Sequence, residues 1–164
     1  MLGGDGQGFE IMMKIVLPTF AVLNAACSNG LMAGAIRRTA EHVTRTRHSD
    51  TGTTLADLPT IRNYIARMRV KADMSDALLG DTIAAIDTKR SDTMLRVLEC
   101  KAAAAEAATE VLDLAMRICG GAGFRKEVGV ERLFRDARAT GVMAPTTDVL
   151  YEFLGKAVCG MPLF

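Results

Sequence analysis

The chain of 164 residues has no tryptophan, and aromatic residues make up only 5% of it. A core so poor in large rings closes by bringing backbones near one another, with the 10 methionines filling irregular gaps. The four cysteines, Cys27, Cys100, Cys119 and Cys159, contain no CxxC pair, so the local spacing that closes a zinc tetrahedron is missing. His42 and His48 are the only histidines, and no Ser-His or Cys-His constellation can be assembled around them. Both read as surface or core filler. No cationic segment leads into an apolar one, so no secretory signal is expected. The longest apolar runs meet Lys, Asn or Arg well short of about 18 residues, so no membrane span is expected. Net charge is only +1, with 20 basic and 19 acidic residues spread along the chain, a pattern that excludes a strong phosphate-backbone binder. No nucleic-acid partner is expected. HExxH, Walker-loop, dinucleotide and nucleophile-elbow patterns are all absent. Free, buried thiols in a reducing cytoplasm are the expectation.

What is present is apolar periodicity. Apolar residues are 49% and charged residues 24%, the balance of one globular domain. No strand-like alternation occurs, so the chain is read as all-α. Residues 1–8 (MLGGDGQG) form a glycine-rich flexible lead-in, and residues 9–164 a helical-bundle domain. The first helix starts near Phe9 and runs out near Arg47, burying Ile11, Ile15, Leu23, Cys27, Leu31 and Ile36. Pro18 should kink it near Lys14, and Gly30 and Gly34 should mark a close helix contact. After a turn-forming connector, His48–Leu58, Asp57 is the candidate N-cap of a second helix that ends near Thr88. Its stripe is Ile61, Ile65, Met68, Ala72, Leu79, Ile83 and Ile86.

Ser91 or Asp92 caps the strongest helix, Thr93 to Cys119, with Leu95, Leu98, Ala102, Ala105, Leu112, Met116 and Cys119 in its seam. Gly120 and Gly121 stop it. A short helix over Val130–Ala139 buries Val130, Leu133, Phe134 and Ala137, and its RDAR string (Arg135–Arg138) suits a buried or bidentate structural arginine better than an anion site. Pro145 opens a last helix, capped from Thr146, Thr147 or Asp148, with Val149, Leu150, Phe153, Leu154, Ala157 and Val158 apolar. The architecture expected is an up-and-down bundle of three long helices plus two shorter C-terminal ones. Residues alone carry the reading no further than a bundle with one turn, Gly120–Gly123, that a bulky ligand can approach.

Several segments taken together resemble the C-terminal helical domain of acyl-CoA dehydrogenases. They are Leu2–Phe9 (LGGDGQGF), Asn29–Met32 (NGLM), Ile118–Gly123 (ICGGAG) and Val130–Ala137 (VERLFRDA), in that order. The resemblance covers almost the whole chain. It implies a piece of a larger protein, since the family's N-terminal helical domain and central β-domain have no counterpart here. It also implies FAD, an acyl-CoA substrate oxidised at its CH–CH group as in fatty acid metabolism, and homodimers or homotetramers in which the glycine turn meets a neighbour's FAD. The cofactor-facing residues implied are Arg45, Arg47, Arg117, Gly120, Gly121, Thr146 and Asp148.

The departures from the family pattern are specific. Arg117 stands where the family has Gln, and Thr46, between Arg45 and Arg47, falls at the family's arginine. The catalytic Glu position is Ala144, followed by Pro145, and no carboxylate lies between Ile11 and Arg38 to take the alternative position near Phe20. No catalytic residue is therefore assigned, and Asp148 is the nearest carboxylate. Three functions stay open: a dehydrogenase, a flavin monooxygenase on the same fold, which needs no α-proton base, and a non-catalytic oligomerisation or flavin-contacting module. By itself the chain is expected to be inactive.

Overall fold

The computed structural model describes residues 3–162. Met1 and Leu2, at the head of the expected flexible segment, and Leu163 and Phe164 lie outside the described residues. The helices are α1 (Gly8–Ile11), α2 (Leu17–Arg45), α3 (Pro59–Asp87), α4 (Thr93–Cys119), α5 (Val130–Val142) and α6 (Thr147–Val158), and no strand is present among the described residues. Three long rods and two shorter ones form the bundle, as the periodicity indicates. Gly3 to Gln7 is a turn, closed by Gln7 N–H donating to Gly4 O at 3.2 Å, and Gly8 already belongs to the helix.

Pro18 cannot donate to Lys14, and the chain answers one turn earlier. Met12–Val16 is a π-turn joining α1 to α2, so the expected disturbance takes the form of one widened turn. α2 ends at Arg45, two residues before the expected limit. The connector is more ordered than its turn residues suggest. His48 N–H donates to Thr53 O at 2.8 Å, and Thr54 and Asp57 form a reciprocal capping box around a 3-10 turn, Leu55–Asp57. Asp57 therefore does not cap α3. Leu58 occupies that N-cap, and Pro59 opens the helix. Asp92 is the N-cap of α4 by position, but its carboxylate takes hydrogen bonds from Arg90 and Arg96 in place of helix N–H groups. α5 runs three residues past the expected Ala139.

α4 is the central rod and packs against α2, α3, α5 and α6. Its buried face is mainly small: Ala102, Ala104, Ala105, Ala108 and Ala115, with Val97, Val111 and Leu112 between. Small side chains let the neighbouring helices close on it. α2 answers with Ala21, Ala25, Ser28, Met32, Ala35, Thr39 and Val43. The stripe expected on α2 is therefore displaced. Ile15 and Leu23 are exposed, as is Cys27, while Leu31 and Ile36 pack at the core's edge. The π-turn adds a residue to the register, and alanine, not leucine, fits against α4. On α3, Met68 and Leu79 are buried as expected, but Ile83 and Ile86 are exposed, their places in the core taken by Thr82 and Ala85. α6 buries only Leu150 completely, and Val149 and Val158 face out.

A Cβ on Gly34 would lie 3.5 Å from Leu133 Cδ1, an ordinary contact, whereas one on Gly30 would meet nothing within 4 Å among the described residues. Of the free cysteines, Cys100 and Cys119 are buried, whereas Cys159, like Cys27, is exposed. The continuous helix Gly8–Arg45 holds an 18-residue window of mean hydropathy 1.6, so by length and composition it can cross a membrane, contrary to the expectation. Asparagine interrupts this run without adding charge. A mostly buried core helix meets the same criterion; here 22% of the window is buried, and one face of α2 is packed on α4.

Candidate functional site

Because α3 returns antiparallel to α2 and α4 to α3, the C-terminus of α2, the N-terminus of α3 and the C-terminus of α4 meet at one end of the bundle. Five of the seven cofactor-facing residues gather there. Gly120 ends α4 with φ +54° and ψ −140°, a conformation that only glycine adopts without strain. A Cβ on Gly120 or Gly121 meets nothing within 4 Å, so this turn is open outwards. Gly123, behind them, is buried, and a Cβ on it would lie 3.2 Å from Cys119 Cβ.

Arg117 is exposed and stacks its guanidinium over the Tyr64 ring at 5.2 Å. Arg47 donates to Gly52 O at 3.0 Å. Arg45 is exposed and has no side-chain partner among the described residues. It borders a shallow groove with Arg38, His42 and Arg125. His42 is held below the usual imidazole range by burial and by the Arg125 charge, and its Nδ1 lies 3.4 Å from Thr46 Oγ1. Neither histidine sits in a cysteine or carboxylate cluster, and no metal-holding group occurs among the described residues. The RDAR arginines are not buried. Arg135 pairs with Glu131 at 2.9 Å on an exposed helix face, and Arg138 lies over Phe134.

Thr146 and Asp148 belong to the other end. Thr146 caps α6, its Oγ1 accepting from Val149 N–H at 3.5 Å, and Asp148 is exposed in the first turn. The turn before them, Met143–Pro145, is held by a residue the sequence reading passed over. Lys101, 0% exposed, donates from Nζ to Met143 O at 3.0 Å and to Pro145 O at 2.7 Å. Phe20 faces the same ammonium, 5.8 Å from ring centroid to Nζ. From the α2 side, Asn24 Nδ2 reaches Met143 Sδ at 3.5 Å, while Asn24 Oδ1 is buried without a partner among the described residues. Ala144, between the two carbonyls, is exposed. The signal for Lys101 was present: it is a lysine in a seam whose positions one turn away, Val97, Ala104 and Ala105, are all apolar and buried. Lys101 and Gly120 are separated by the rest of α4, about 28 Å at a rise of about 1.5 Å per residue.

The family described as acyl-CoA dehydrogenase, C-terminal domain, matches residues 6–159. The chain belongs to this family. It is 31% identical over 159 residues to the mitochondrial very long-chain specific acyl-CoA dehydrogenase of Homo sapiens, covering 97% of this chain and 24% of that protein. It is 32% identical over 158 residues to the acryloyl-CoA reductase (NADH) of Anaerotignum propionicum, covering 96% and 39%. Among solved structures, a glutaryl-coenzyme A dehydrogenase with glutaryl-CoA superposes with TM-score 0.89 at 25% identity, over 98% of this chain and 40% of that one. PigA with FAD and proline superposes with TM-score 0.87 at 18% identity, over 96% and 40%, which is likeness of fold. The chain thus spans well under half the length of these relatives. The acyl-CoA dehydrogenase C-terminal bundle is the fold seen here, with Gly120–Gly123 closing its central helix, α4.

Proposed function

We propose that this domain serves a flavin-dependent oxidoreductase acting on the CH–CH group of an acyl-CoA thioester, with FAD lying between copies of the chain. The observation that carries the reading is the division of the candidate residues between two ends of one rod. A nucleotide lying against Gly120, Gly121 and the arginines of one copy leaves the Thr146 end of that copy for another nucleotide. Two-fold pairing uses both ends at once, which favours a homodimer or a homotetramer built from such pairs.

The residues fit the group. The glycine turn is open to a molecule from outside the chain, and Arg45, Arg47 and Arg117 present guanidinium groups suited to phosphate oxygens. Bound FAD would accept the reducing equivalents from the substrate. The chain's own part is to orient it: backbone at Gly120 and Gly121, charge from the arginines, and the Thr146 hydroxyl at the opposite end. The family resemblance places the proton-abstracting group at residue 144, where this chain has a methyl group that accepts no proton. The base then comes from elsewhere, and Asp148, exposed at the start of α6, is the candidate within this chain. The exposed free thiols of Cys27 and Cys159 favour a reducing compartment, the cytoplasm.

Anaerobic mixing of the flavin-loaded polypeptide that carries this domain with acyl-CoA thioesters of graded length tests the reading. Bleaching of the flavin's visible absorption supports it, and an unchanged spectrum with every thioester contradicts it. Ala144 also favours a second reading, oxygen activation on the same fold, which needs no α-proton base. Oxygen uptake that depends on reduced flavin and is absent without substrate separates the two.

A further inference from the structure

We propose that Lys101 is a positioning residue: its ammonium grips the carbonyls on either side of Ala144 and so fixes the turn that presents residue 144 and Thr146. The functional weight of that turn rests on the flavin reading above; the clamp itself rests on geometry alone. Three observations carry it. The lysine is fully buried in the apolar seam of α4, where an alanine or leucine would be buried at far lower cost. Its two acceptors, Met143 O and Pro145 O, lie 42 and 44 residues along the chain, so the bonds tie α4 to the α5–α6 junction and serve no local helix need. Among the described residues no carboxylate pairs with it; the Phe20 ring lies against it, and Asn24 holds Met143 from the opposite side.

A carbonyl on each side of residue 144 turned toward one buried ammonium leaves residue 144 facing outward, as its exposure records. The same grip sets where α6 begins, because Thr146 follows Pro145 directly and its hydroxyl caps the helix. Lys101 touches no bulk solvent and so acts on the site only through this turn. A purely structural lysine would stabilise the whole bundle. A positioning lysine controls the order of one segment.

Amide hydrogen exchange of the whole chain distinguishes these. In Lys101→Met, the hydrogen-bonded amides of Met143, Val149 and Leu150 are expected to exchange at least tenfold faster, with those of Val111–Ala115 in the same rod unchanged. Lys101→Ala should show the same local loss, and added propylammonium should restore protection by refilling the vacated volume with a cation. Unchanged exchange at Met143, Val149 and Leu150, or an equal rise at every amide, would overturn the proposal. Should neither variant fold, the wild-type chain decides: Lys101 Nζ should show through-hydrogen-bond couplings to the carbonyl carbons of Met143 and Pro145. Absent couplings together with rapid solvent exchange of Nζ would refute it. Adding FAD to the wild-type chain tests the flavin reading separately, because a failure to bind leaves the exchange result intact.

Discussion

Lys101 Nζ lies 2.7 Å from the carbonyl oxygen of Pro145, 44 residues further along the chain, and the lysine is closed off from solvent. Replacing it with methionine keeps the volume and removes the donor from two carbonyls. Each acceptor left without a partner costs about 1–3 kcal/mol. Lys101→Met should therefore lower the free energy of opening the segment 143–150 by about 2–4 kcal/mol at neutral pH, read from native-state amide exchange, a larger loss than a surface lysine gives.

The same lysine sets a pH dependence. Burial holds its pKa below the usual lysine value. Between the lowered folded value and the unfolded value of about 10.4, the unfolded chain binds more protons than the folded one, so stability from this group rises with pH. It is fully present above the unfolded value and is lost as pH falls through the folded one. Wild-type stability minus that of Lys101→Met should increase as pH approaches the unfolded value of about 10.4 from below. The subtraction cancels the other alkaline groups, the thiols and Tyr151 included. A flat difference contradicts the assignment.

The all-α class, the three long rods, the stop at Gly120 and a cap from Thr146, Thr147 or Asp148 were legible because each follows from local chemistry. Glycine permits the φ of +54° that ends α4, and the Thr146 hydroxyl accepts from Val149 N–H. The side of α2 that is buried was not legible from hydrophobicity. Ala25, Ser28 and Ala35 are in the core, and Leu23 is out, because the partner rod is itself alanine-rich and close approach outweighs side-chain size. A helical wheel also cannot anticipate the register shift of the π-turn before Pro18. Of the candidate site, the glycine turn and the arginines were visible as residue types. The clamp on residue 144 was not, since its two halves come from distant segments and it binds through backbone carbonyls that carry no sequence signature.

The two glycines at the end of α4 should respond differently. Gly120→Ala forces a Cβ into backbone space that L-residues avoid and should cost about 1–3 kcal/mol. Gly121 has neither a positive φ nor a neighbour within 4 Å of its would-be Cβ, so Gly121→Ala should change stability by less than about 0.5 kcal/mol. Thermal melts of the two variants check this. Equal losses would contradict the geometry of the turn.

Tyr151 donates to Glu106 Oε2 at 2.6 Å, tying α6 to the middle of α4. Partial burial, then the hydrogen bond and charge of Glu106, push its phenol up to about 12. In a Tyr64→Phe background only Tyr151 reports in an ultraviolet titration. Glu106→Gln should then move its ionisation to lower pH, and an unmoved titration would show that the contact is not kept in solution.

The central claim is that a flavin site survives here although residue 144 offers no base. Anaerobic stopped-flow mixing of the flavin-loaded polypeptide carrying this domain with an acyl-CoA tests it most directly, with Asp148→Asn and Ala144→Glu run beside the wild type. The account predicts flavin bleaching in the wild type, slowed at least tenfold in Asp148→Asn and undiminished in Ala144→Glu. A wild-type flavin that stays oxidised with every thioester would contradict it.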